Sequence, residues 1–88
     1  MKDTWINLKK TNGRLQASRL AHWRQAAGLK QTELAEKCNT TQQRISSYEN
    51  LDRPVDIELL REFVYILNKS LEQKITLADL INTHEHVK

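Results

Sequence analysis

An all-α domain of four to five helices is the fold class this sequence predicts, and three observations carry it. Leu60, Phe63, Val64 and Leu67 recur at i, i+3, i+4 and i+7, the apolar stripe of an amphipathic helix. Two shorter runs of helical periodicity precede it, separated by Asn39, one of the few residues besides glycine that tolerates a left-handed backbone. Finally, 88 residues suffice for one small core and no more.

The elements follow in chain order. A first helix is expected over Leu15–Ala27, with Ala17, Leu20, Ala21 and Trp23 near helical spacing and Gly28 as its terminator. Ahead of it, Asn12-Gly13 is a turn signal. It either closes a small hairpin between Trp5–Lys10 and Leu15, or separates an N-terminal arm, residues 1–14, from the domain. The second helix spans Gln31–Cys38, with Leu34, Ala35 and Cys38 on one stripe, and the third runs from the N-cap Thr41 to Asn50. Leu51-Asp52-Arg53-Pro54 is a loop, and Asp56 is placed to cap the fourth helix. Beyond it, Lys74-Ile75-Thr76-Leu77 reads as a short strand, while Thr76-x-x-Asp79 reads equally as the capping box of a fifth helix. The organisation expected is an arm (1–14), a helical domain (15–68), and a C-terminal dimerisation segment and tail (69–88).

Composition narrows the function classes. Cys38 is the one cysteine, so no intrachain disulfide and no Cys/His zinc cluster is expected. With neither staple, a domain this small is expected to gain stability by pairing with a second copy, through the fourth helix and residues 74–81; Phe63, Tyr65, Ile66, Ile75 and Leu77 exceed what one subunit of four helices covers readily. There is no apolar run of about 18 residues and no basic-then-apolar leader, so the expectation is a reduced, cytoplasmic protein without a membrane span. His22, His84 and His86 are scattered, and neither a Gly-rich phosphate loop nor a nucleophile–base arrangement is visible. The expectation is therefore a non-enzyme with no cofactor and no metal. Charge is lopsided: residues 1–53 carry ten Lys/Arg against five Asp/Glu, residues 54–88 four against six. A basic half suits a polyanion and the other half suits protein contacts, although many solvated surfaces share such a bias.

The third helix is two-faced. At about 100° per residue, Ile45, Tyr48 and Glu49 fall on one side, and Gln42, Gln43, Ser46, Ser47 and Asn50 on the other. The second face is a strip of amides and hydroxyls. A glutamine matches adenine N6 and N7 with its acceptor and donor, and two glutamines at the N-terminus of a helix behind a tight turn stand where base edges come closest. A glutamine pair alone is more often plain solvated surface; the helix–turn–helix arrangement around it reverses that weighting.

The stretch Leu29 to Asn50, with Arg24 upstream, Gln31, Leu34-Ala35, Ile45 and Tyr48-Glu49-Asn50, resembles the Cro/C1-type (XRE) helix-turn-helix family over roughly residues 15–68. The Thr-Thr-Gln-Gln run is similar to that of 434-like phage repressors. Asn39 stands where that family usually has the glycine of the turn, and Leu51 where a glycine usually follows Glu-Asn, which puts the shape of the loop after the third helix in question. The resemblance implies a lambda-repressor-like domain that binds double-stranded DNA as a homodimer on a palindromic operator. It implies base reading by Gln42, Gln43 and Ser47 with Ser46 as accessory. Backbone contacts would come from Gln31, Thr41, Arg44 and Asn50, with Lys30 and Arg53 as weaker ones, and Arg24 and Glu49 would form a structural ion pair. In the C-terminal half, the layout resembles HipB-type antitoxins, in which the segment matching Ile75-Thr76-Leu77 supplies a strand shared between subunits. That implies an autoregulating antitoxin with a HipA-like toxin kinase as partner. A phage-type repressor and a restriction-modification controller are the alternatives, and a protein–protein interaction module without DNA binding is the alternative of another class.

Overall fold

The structure is a computed structural model that describes residues 13–81; the hairpin-or-arm question for residues 1–12 and the His84-Glu85-His86 tail lie outside the described residues. Its elements are β1 (Arg14–Leu15), α1 (Leu20–Ala26), α2 (Gln31–Lys37), α3 (Gln42–Glu49), β2 (Val55–Asp56), α4 (Ile57–Asn68) and α5 (Leu77–Leu80).

Three successive helices end in the same way. In each, the residue after the C-cap adopts a left-handed backbone: Gly28 (φ 77°), Asn39 (φ 58°) and Leu51 (φ 63°). In each, the two following N–H groups return to the last turn. Leu29 N–H donates to Arg24 C=O, Thr40 N–H to Ala35 C=O and Asp52 N–H to Ser47 C=O, at 2.8–3.1 Å. These are Schellman closures, which satisfy carbonyls that a helix end otherwise leaves open. Glycine takes the conformation freely, asparagine tolerates it, and leucine is strained there by about 1–2 kcal/mol. The loop after α3 therefore keeps the geometry a glycine would give it, despite Leu51. Because the Leu51 side chain is 45% exposed and contributes little packing, Leu51→Gly is expected to raise stability by about 1 kcal/mol. A urea titration checks this; a lower midpoint would mean the side chain contributes more than its backbone costs.

The first helix begins at Leu20, five residues later than its apolar spacing predicts. Leu15 instead sits in β1, antiparallel to β2, with Leu15 opposite Val55 and Arg14 opposite Asp56. Leu15 and Val55 point into the core, while Arg14 and Asp56 form an exposed ion pair (Nε to Oδ1, 3.2 Å). Asp56 occupies the N-cap position of α4 without capping it, because its carboxylate is turned to Arg14.

Helix α4 is the centre of the core. Leu60, Phe63 and Leu67 are fully buried against Leu20, Leu34 and Ile45. Cys38 packs at its edge; burial, and then the charge of Glu62, pushes its thiol up to about 12, so it stays protonated and poorly reactive.

The segment after α4 is part of this core. Leu71, Ile75, Leu80 and Ile81 are buried. Between the two readings of residues 74–81, the helix is the one observed. Asp79 accepts from the Thr76 N–H (2.8 Å) and opens α5. The Asn68 side chain accepts from the Ile75 N–H (2.8 Å) and donates to its C=O (3.0 Å), occupying both hydrogen-bonding groups that a strand would offer a neighbour. Helix α5 is then fastened to α1: Arg19 N–H donates to Leu80 C=O, and Trp23 Nε1 to Asp79 C=O, each at 2.9 Å. Of the five apolar residues expected to need a second subunit, Phe63, Ile66 and Ile75 are buried within the chain itself and Leu77 partly so, while Tyr65 stays 63% exposed under the Lys69 ammonium. The excess of apolar surface that motivated pairing through this half is largely absent, because residues 71–81 fold back as a lid on the same core.

Candidate DNA-binding interface

Helices α2 and α3 form the motif, joined by the tight turn through Asn39 and Thr40. Thr41 caps α3, its hydroxyl accepting from the Arg44 N–H (3.2 Å), which leaves the hydroxyl proton available to another acceptor. Ile45 and Tyr48 anchor the helix to the core, and Tyr48 meets Phe63 edge-on. Gln42, Gln43 and Arg44 are exposed on the opposite face and Ser46 and Ser47 half-buried, as a 3.6-residue repeat dictates.

Beneath the helix lies a connected polar network. Arg24 donates through Nε (2.5 Å) and Nη2 (3.1 Å) to the two carboxylate oxygens of Glu49, and through Nη1 to the Leu29 C=O (2.8 Å). The two side chains are only 10% and 6% exposed. Gln31 Nε2 donates to Glu49 Oε1 (2.9 Å), and Gln42 Nε2 donates to Gln31 Oε1 (3.1 Å). An ionised carboxylate can only accept, so it fixes which end of the Gln31 amide faces it, and Gln31 in turn fixes the amide of Gln42. Among the described residues, Gln42 is left with one N–H and its carbonyl oxygen without a partner.

The remaining candidates fall into groups. Thr41, Gln43, Arg44, Ser47 and Arg53 line one concavity of about 440 Å³. Asn50 is the C-cap of α3 and donates to the Ser46 hydroxyl (3.4 Å). Lys30 is exposed at the start of α2, where Glu33 accepts from its backbone N–H (2.7 Å), and among the described residues no side-chain hydrogen bond or ion pair joins it to the other candidates. Sequence reasoning missed the Gln31–Gln42 hydrogen bond, although their common amide chemistry could have suggested it. It also missed Arg14, which joins Arg44 and Arg53 around a second concavity; a two-residue strand leaves no periodic signal. Among the described residues, His, Cys, Asp and Glu form no group of three or more that could hold a metal ion, and no helix is long and apolar enough to cross a membrane.

The family model described as Helix-turn-helix, of the Cro/C1 (XRE) type, matches residues 20–74, well over half of the chain. The chain belongs to the Cro/C1-type helix-turn-helix family. Membership makes it a DNA-binding regulator of that type. Searches of curated proteins and of solved structures returned no significant match. The Cro/C1-type match ends at Lys74, whereas the core of this chain continues through Ile81.

Proposed function

We propose that the chain is a sequence-specific transcriptional repressor that lays α3 in the major groove and reads adenine with Gln42. The observation that carries this reading is the amide polarity set by the Arg24–Glu49–Gln31–Gln42 network. The free N–H and carbonyl of Gln42 form one donor and one acceptor, the pair that adenine N7 and N6 complement. Gln43 and Ser47 extend the reading surface, with Ser46 beside them. Gln31, Thr41, Arg44 and Asn50, flanked by Lys30 and Arg53, hold phosphates. Such a head spans only a few base pairs, so two copies on a palindromic operator, one helical turn apart, would supply the specificity of a regulator. No catalytic role enters this reading.

The test is fluorescence anisotropy on the DNA upstream of the chain's own coding sequence and on a scrambled duplex of equal composition. A preference of about a thousandfold or more is expected. Equal affinity for both would sink sequence-specific reading of that region, and no binding to either would favour a protein-interaction module instead.

Within the repressors, the narrower reading as an autoregulating HipB-like antitoxin, its dimer holding a HipA-like kinase, draws on the layout of the C-terminal half. Its distinguishing feature, a shared strand at Ile75–Leu77, is replaced here by the Asn68 clasp and α5. The phage-type repressor and the restriction-modification controller make no demand on that segment. A kinase-like reading frame next to the gene would select the antitoxin.

A further inference from the structure

A second concavity, of about 330 Å³, opens beside the reading face and is lined by Arg14, Arg44, Tyr48, Arg53, Pro54 and Asp56. Three arginines face one aspartate there, so its wall is net positive. Arg14 spends only Nε on Asp56; its two terminal nitrogens, and the whole guanidinium groups of Arg44 and Arg53, have no hydrogen-bond partner among the described residues. Tyr48 supplies the independent observation. It is 5% exposed, yet its hydroxyl has no hydrogen-bond partner among the described residues. A buried tyrosine hydroxyl ordinarily finds one, and Tyr48 lines this concavity. An unpartnered buried donor among cationic groups calls for an anionic oxygen. Arg44 and Arg53 also line the concavity that holds Gln43 and Ser47, so an anion seated here lies alongside whatever α3 reads.

We infer that this concavity is a seat for one backbone phosphate of the bound DNA, closed by Arg14 from β1 and by the Tyr48 hydroxyl, in addition to Arg44 and Arg53. The inference rests on the DNA-reading function proposed above and adds two residues to it. Pairing of β1 with β2 is what brings Arg14 to the site, and Asp56 aims its guanidinium by holding Nε. A guanidinium held in this way presents its outer nitrogens as a fork, the geometry that matches two phosphate oxygens.

The experiment is a salt titration of wild type, Arg14→Ala, Arg14→Lys and Tyr48→Phe on a random-sequence duplex about two helical turns long. Arg14→Ala should weaken binding several-fold and flatten the salt dependence by about one ion, while Arg14→Lys should restore the slope. Tyr48→Phe keeps the packing on Phe63; it should weaken binding a few-fold with the slope unchanged, and its melting temperature should be no lower than wild type, since no internal hydrogen bond is lost. Wild-type slope and affinity for Arg14→Ala, or Tyr48→Phe that melts lower while binding normally, would overturn the phosphate seat. Should those variants be silent while Gln42→Ala still loses the preference for the upstream DNA, the seat fails and the reading function stands. Wild-type protein that binds neither duplex overturns both.

Discussion

Glu49→Ala is expected to destabilise the fold by about 3–5 kcal/mol, the cost of breaking a buried ion pair by removing one partner. The Arg24 guanidinium would keep only the Leu29 carbonyl while remaining nearly enclosed. Arg24→Ala should cost a similar amount, because it strands the carboxylate. The double variant Arg24→Met/Glu49→Leu should recover most of the loss, since apolar replacement of a buried pair is often close to neutral. Urea denaturation of Arg24→Met, Glu49→Leu and the double that combines them decides it. A double variant whose loss is simply the sum of the singles would show that the two groups act independently. The pair also has a role beyond stability in the proposed mechanism. In the double variant, Gln31 loses the carboxylate that orients it, so a well-folded protein with weakened preference for its own upstream DNA is the expected signature.

The second large effect concerns reading itself. Gln42→Ala and Gln43→Ala should each cost about 1–3 kcal/mol on the specific site and leave binding to scrambled DNA nearly intact. Arg44→Ala should do the opposite, weakening both DNAs alike and flattening the salt dependence by about one ion, because a phosphate contact carries no base information. Gln31→Ala is the informative companion: in the proposed mechanism Gln31 holds a phosphate and also orients the Gln42 amide, so its loss should weaken both DNAs and, in addition, erode the preference for the specific site. Equal losses on both DNAs for Gln42→Ala would move the reading face elsewhere on α3.

Much of this arrangement is legible along the chain, for local reasons. The stripe of α4, the Thr41 cap and the left-handed turn at Asn39 are each encoded within a few residues, so periodicity and turn chemistry find them. What escapes are features whose partners lie far apart. Leu15 has the spacing of a helix residue but is drawn into a strand by Val55, 40 positions away. The choice between strand and helix at Ile75–Leu77 is made by Asn68, a side chain within the preceding helix that carries no turn signal. At Leu51 the backbone is imposed by the closure of α3, against the preference of the residue itself. In the interface, residue types point to Gln42 and Gln43, but only the hydrogen-bonded chain from Arg24 supplies a direction to the amide.

The indole of Trp23 gives the molecule an internal optical reporter. Its N–H is bonded to the Asp79 carbonyl and its ring meets His22 edge-on at 4.8 Å, so its emission is sensitive to whether α5 is seated. Release of the C-terminal turn would wet this indole while the helix-turn-helix behind it remained folded. Comparison of tryptophan fluorescence with far-ultraviolet circular dichroism would then separate that local opening from global unfolding, with Trp5 replaced by phenylalanine to leave a single emitter.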